Sequence, residues 1–117
     1  MESILTSIKK MLGLTEEYKH FDVDIVTHIN STFRVLHQLG VGPSKAFRIT
    51  DETDIWSDFI AEDCEGFDEV KTYVYQRVKM LFDPPLSSAH MSALKESIAE
   101  FEWRLQVESE FQNGANE

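Results

Sequence analysis

The chain has 117 residues, enough for one domain around one modest core. Its apolar content of 42% is that of a folded protein, and its formal charge of −10 excludes a nucleic-acid reader that neutralises phosphates with a basic patch. The single cysteine, Cys64, excludes an internal disulfide and suits a reducing cytoplasm, and no run reaches the roughly 20 apolar residues of a membrane span.

In chain order, residues 2 to 12 form a short amphipathic helix on which Ile4, Ile8, Met11 and Leu12 share a face, with Leu5 beside them. Gly13 is suited to the position after a helix C-terminus, where positive φ is needed. Lys9 and Lys10 interrupt the apolar run, and no small-residue cleavage site follows, so the segment is not a secretory signal. With only these lysines on its polar face, it reads as a helix docked on its own domain rather than a membrane anchor.

Thr15 to His20 is a polar connector. Asp22 or Asp24 opens a second helix with acid at the positive end of its dipole, and Val26, Ile29, Phe33 and Leu36 carry the helical spacing. Gly40-Val41-Gly42-Pro43 breaks it. The following AFRIT stretch, Ala46 to Thr50, is a short strand or an extended loop that brings Phe47 and Ile49 to a surface. Asp51 or Thr53 is expected to cap a brief helical turn containing Ile55, Trp56, Phe59 and Ile60.

The third helix begins after Gly66. Phe67, Val70, Val74, Val78, Leu81 and Phe82 recur at steps of three and four, and Tyr73, Tyr75 and Met80 widen the stripe until little of the circumference is left for water. Asp83-Pro84-Pro85 stops it, because proline lacks the helical amide and drives the preceding residue out of the α region. This spacing predicts a central helix that its neighbours wrap.

Ser87 or Ser88 caps a final helix reaching to about Phe111, followed by a frayed tail at 112–117. Met91, Leu94, Ile98, Phe101 and Leu105 form one seam, while Trp103, Val107 and Phe111 fall on nearly the opposite side at about 100° per residue. The second stripe either touches the first helix of its own subunit or meets another protein chain. The expected architecture is all-α, a small bundle of about four to five helices with a Gly/Pro loop after the second. It forms a single helical domain over 1–117, with 1–20 as N-terminal helix and connector.

No chemistry emerges from the motifs. His20, His28, His37 and His90 have no ligand spacing, the glycines at 40 and 42 open no phosphate loop, and Asp51, Glu52 and Asp54 lack the glycine and terminal glutamate of a calcium loop. No catalytic, metal or cofactor residue is assigned, and the chain does not read as an enzyme. The candidate functional residues are those of a protein interface: Trp103, Val107, Phe111, Phe47 and Ile49.

Several stretches together, FDVDIVTHINSTFRVLHQLGVGP (21–43), WSDFI (56–60), VKTYVYQRVKMLFDPPLSSA (70–89) and EWRLQ (102–106), resemble the small head–tail connector or adaptor proteins of tailed bacteriophages and prophages. The resemblance implies a structural protein that assembles as a homo-oligomeric ring beneath the portal and links the DNA-filled capsid to the tail or a stopper protein. It implies assembly in the host bacterial cytoplasm, a place at the virion head–tail junction, and DNA that passes without sequence-specific binding. The alternative is a small acidic cytoplasmic phage protein that acts as an interaction module or as an inhibitor mimicking DNA.

Overall fold

The computed structural model describes residues 2–115, with side chains described through Glu108. The described residues form four α-helices: α1 (Ile4–Met11), α2 (Asp22–Gln38), α3 (Phe67–Phe82) and α4 (Ser88–Ala115). A short 3-10 turn, Trp56–Asp58, lies between α2 and α3. The all-α expectation and the loop after the second helix are both present, and α4 continues beyond the expected end near Phe111 to Ala115.

Local chemistry accounts for the helix boundaries. Ser3 Oγ accepts the Thr6 amide at the start of α1, and Ser87 does the same for His90 ahead of α4. Two helices end alike. Leu14 N–H reaches Lys9 O and Gly13 N–H reaches Lys10 O after α1, while Val41 N–H reaches Leu36 O and Gly40 N–H reaches His37 O after α2. Each is a Schellman closure, which requires positive φ at the glycine; φ is 87° at Gly13 and 85° at Gly40.

The core collects Ile4, Leu5 and Ile8 from α1, Ile25, Ile29, Phe33 and Leu36 from α2, Val70, Tyr73, Val74 and Val78 from α3, and Ile98 and Leu105 from α4. On α2 the buried register is led by Ile25, not Val26, which is half-buried. α3 packs against α1, α2 and α4, so it is the central helix. It is not apolar all round in effect: Leu81 is exposed, and Tyr75 and Met80 are only half-buried, because the neighbours cover about one side and the flanks. The apolar face of α1 is spent on this core, as a docked helix requires.

The N-terminus is laced to the segment after residue 50. Ile4 N–H donates to Asp54 O, Trp56 N–H donates to Glu2 O, and Ser3 pairs with Ile55 in a single antiparallel bridge. Trp56 is fully buried; its Nε1 donates to Ser7 Oγ at 2.8 Å, and Ser7 Oγ donates to Ile4 O at 3.0 Å. Lys9, also buried, is held by Asp22 at 2.8 Å and by Glu16 O at 3.1 Å, which ties α1 to the start of α2.

The segment between α2 and the 3-10 turn corrects two expectations. Ile49 is fully buried, and Phe47 is half-buried against the rings of Phe33 and Phe59, both at 5.2 Å, so the loop does not carry these side chains to a surface. The cause is Asn30 on α2. Its Oδ1 accepts Ile49 N–H at 2.7 Å and its Nδ2 donates to Ile49 O at 3.0 Å, which satisfies both backbone groups and turns the side chain inward. Asp51 and Asp54 cap a turn rather than the helical segment: Asp54 accepts Thr50 and Asp51 amides, and Asp51 accepts the Thr53 amide and hydroxyl. The Thr53 bonds favour the ionised form and hold the Asp51 carboxyl below its usual range.

Candidate interaction surfaces

α4 meets the rest of the protein along one seam. Among the described residues, α3 is the one helix on which it packs extensively. Ile98 and Leu105 are buried there, with Leu94 and Phe101 half-buried beside them. Polar pairs cross the same seam. Gln76 Nε2 lies 2.9 Å from Ser97 Oγ, Tyr73 donates its hydroxyl to Glu102 Oε2 at 2.7 Å, and Arg77 reaches the same oxygen at 3.3 Å. These bonds fix both register and rotation of α4, because each needs one partner at one height along α3.

Fixing that rotation determines what points away. Trp103 is 66% exposed and Val107 43% exposed. The reading in which they pack on the first helix of their own subunit is therefore not realised, and the two stand in solvent one helical turn apart. Arg104, beside them, is paired with Glu100 at 2.8 Å, an i,i+4 bond that supports the helix. The side chain of Phe111 lies outside the described residues. Of the five residues expected at an interface, the structure brings Trp103 and Val107 together on one exposed face and places Phe47 and Ile49 with the core.

A second apolar surface escaped the sequence reading. Phe21, just before α2, stacks edge-on against Phe82 at the end of α3 with centroids 5.2 Å apart, and Tyr18 stacks on Phe21 at 5.9 Å. These contacts bring the exposed Tyr18 to the end of the bundle where Leu81 is exposed, next to the turn where Leu86 is exposed completely. Trp103 and Val107 lie toward the opposite end, where Glu108 sits by Gly66 at the start of α3. The signal that could have marked the second patch is the Pro-Pro-Leu turn itself, since a leucine after two prolines has little chance to fold back onto a helix.

Two recesses flank this frame. One, of about 470 Å³, lies between the Gly40–Pro43 turn and α4, lined by Val41, Phe59, Ile60, Val70 and Leu105 with Cys64 at its exposed edge. Gly42, at φ 96°, lets the backbone pass so close to Phe59 that a Cβ would stand 2.5 Å from the ring. The other, of about 420 Å³, lies between α2 and the Arg48–Glu52 segment. Among the described residues no cluster of His, Cys, Asp or Glu is placed to hold a metal ion, and no helix is long and apolar enough to cross a membrane.

Burial and the Glu102 carboxylate push the Tyr73 hydroxyl far above the usual tyrosine range. The folded state thus keeps this proton more firmly than the unfolded chain does. Its contribution to stability is complete below about pH 10 and falls as pH rises past that value, where unfolded tyrosine ionises. In an alkaline titration, the absorbance of one tyrosinate is expected to appear only with unfolding, and Tyr73→Phe is expected to remove that lag.

The chain matches, over residues 4–112, the family model described as phage connector protein. Neither comparison with curated proteins nor comparison with solved structures returns a significant match. The family match spans all four helices, from the first residue of α1 into the last turn of α4, so it covers the seam and the outward stripe together. The chain belongs to the phage connector protein family, and its role is that of a structural phage protein.

Proposed function

We propose that the protein is a head–tail connector that assembles as a ring beneath the portal, extends its channel and presents a surface to the tail or a stopper protein. The observation that carries this reading is the outward face of α4. Trp103 and Val107 are large, apolar and exposed on a helix whose other side is already committed to α3, and exposed apolar side chains grouped around a tryptophan in this way mark protein contacts. The second apolar patch, at the other end of the bundle, gives the chain two separated contact regions. Unlike surfaces meeting head to tail generate a ring when the rotation closes.

Charge fits the same role. A net charge of −10 repels a DNA duplex, so a lumen built from this chain lets DNA slide without holding it. Many of the acids sit in first helical turns and loop caps, as Asp22, Asp24, Asp68, Glu69, Asp51 and Asp54 do, and not in the single phosphate-like array that a DNA mimic needs. Binding to purified cognate portal protein tests the proposal. Wild type is expected to sediment with portal, and Trp103→Ala to do so far less; a chain that stays free of portal and strictly monomeric at high concentration overturns it.

A further inference from the structure

The turn between α3 and α4 is short and carries two consecutive prolines. Asp83 and Pro84 each precede a proline, which biases both away from the α region, and Asp83 has left it, at φ −145° and ψ 67°. A run of two prolines prefers a straight polyproline path, yet the chain must reverse within Asp83–Ser87 to lay α4 back along α3. The reversal thrusts Leu86 wholly into solvent and leaves Leu81, one residue before the end of α3, 43% exposed. The closed hairpin therefore carries unburied apolar surface at its hinge.

What lies beyond the hinge is joined to the core along one seam. Among the described helices α4 packs chiefly on α3, to which it brings the buried Ile98 and Leu105. The seam it leaves is specific. Tyr73, Gln76 and Arg77 accept a helix that offers Glu102 and Ser97 at fixed heights, and Arg77 Nε is buried with no bond of its own. The helix that matches every one of these groups is α4 of any copy of this chain.

We propose that α4 is exchanged between copies during assembly, so that α4 of one subunit docks on α3 of the next. Exchange reproduces each seam contact, straightens the proline hinge and lets Leu81 and Leu86 of adjoining hinges bury against one another. Short hinge loops are a usual site of such swaps. The proposal rests on the ring reading only in requiring that copies meet. It adds that neighbouring copies are also held through the seam and the hinge, beside the contact made by the Trp103 stripe.

The test uses two full-length proteins, each with Cys64→Ser to remove the native thiol. One carries Gln76→Cys on α3 and a mass tag; the other carries Ser97→Cys on α4. They are mixed, concentrated or offered portal, treated with a short bis-maleimide and analysed under denaturing conditions with peptide mapping. Neither protein can form a 76–97 link within itself, so such a link, with its shift from the 13.5 kDa chain to twice that mass, reports α4 of one copy on α3 of another. Single substitutions at these half-buried positions spare the core, and circular dichroism checks the fold. The expected result is the 76–97 product in the assembled fraction. Assemblies that lack it, while a double variant links 76 to 97 within one chain, overturn the exchange and leave the connector reading standing; no assembly at all overturns both.

Discussion

Replacing Trp56 with alanine is expected to cost about 3–5 kcal/mol, a loss on the scale of the whole stability of a small domain. Trp56 is fully buried, packs edge-on against Phe33 and Phe67, and is the hydrogen-bond partner through which Ser7 joins α1 to the rest. Truncation leaves a cavity where three segments meet and deprives the Ser7 hydroxyl of its donor. The effect should spread along the N-terminal lacing, because Glu2 O and the Ile4 amide are paired with the backbone at Trp56 and Asp54. Chemical denaturation followed by circular dichroism measures it. Trp56→Phe, which keeps much of the volume but not the indole N–H, should lose about 1–2 kcal/mol from the missing bond and the smaller ring. A Trp56→Ala protein as stable as wild type would mean that this residue does not organise the core.

The Trp103→Ala, Val107→Ala double variant is expected to behave in the opposite way. Both side chains are exposed in the isolated chain, so the free energy of unfolding should change by no more than about 0.5 kcal/mol. Assembly should suffer far more. A tryptophan at the centre of a contact is commonly worth about 2 kcal/mol or more per copy, which is a weakening of about 30-fold at each subunit contact. In a closed ring each subunit makes that contact on both sides, so the loss compounds with the number of copies. Analytical ultracentrifugation of the variant and wild type at matched concentration separates the two effects. If the variant unfolds, the stripe belongs to the fold; if it assembles normally, the stripe is not the contact.

The helices were legible because their determinants are local. Gly13, Gly40 and the double proline punctuate the chain through backbone preferences that act within a few residues, and Ser3 and Ser87 cap the helices that follow them. The seam of α4 was readable for the same reason, since Ile98 and Leu105 recur at helical spacing and both are buried. What the sequence did not disclose depends on partners far along the chain. The burial of Ile49 is enforced by Asn30, 19 residues away, and the seat of Trp56 by Ser7, 49 residues away. Local pattern around Ile49 is compatible with a strand, a loop or a surface, and nothing within that window announces an asparagine clamp.

The candidate site divides along the same line. The outward face of α4 could be drawn on a helical wheel, and Trp103 and Val107 stand where the wheel puts them. The patch at the other end needed the fold, because Tyr18, Phe21 and Phe82 come together only once α2 begins beside the end of α3. The links from Tyr73 and Arg77 to Glu102 likewise join residues that look, in sequence, like an aromatic on a stripe and two surface charges. These bonds set how α4 sits, and hence which of its faces is offered to a neighbour.

The central claim is that this chain builds a ring on the portal through the exposed side of α4, and electron microscopy of the wild-type protein mixed with its cognate portal tests it most directly. The account predicts portal particles carrying an added annular density with rotational symmetry, absent from a mixture made with the Trp103→Ala, Val107→Ala variant. Portal particles left bare at saturating wild-type protein, or rings in which α4 turns Trp103 toward open solvent, would contradict it.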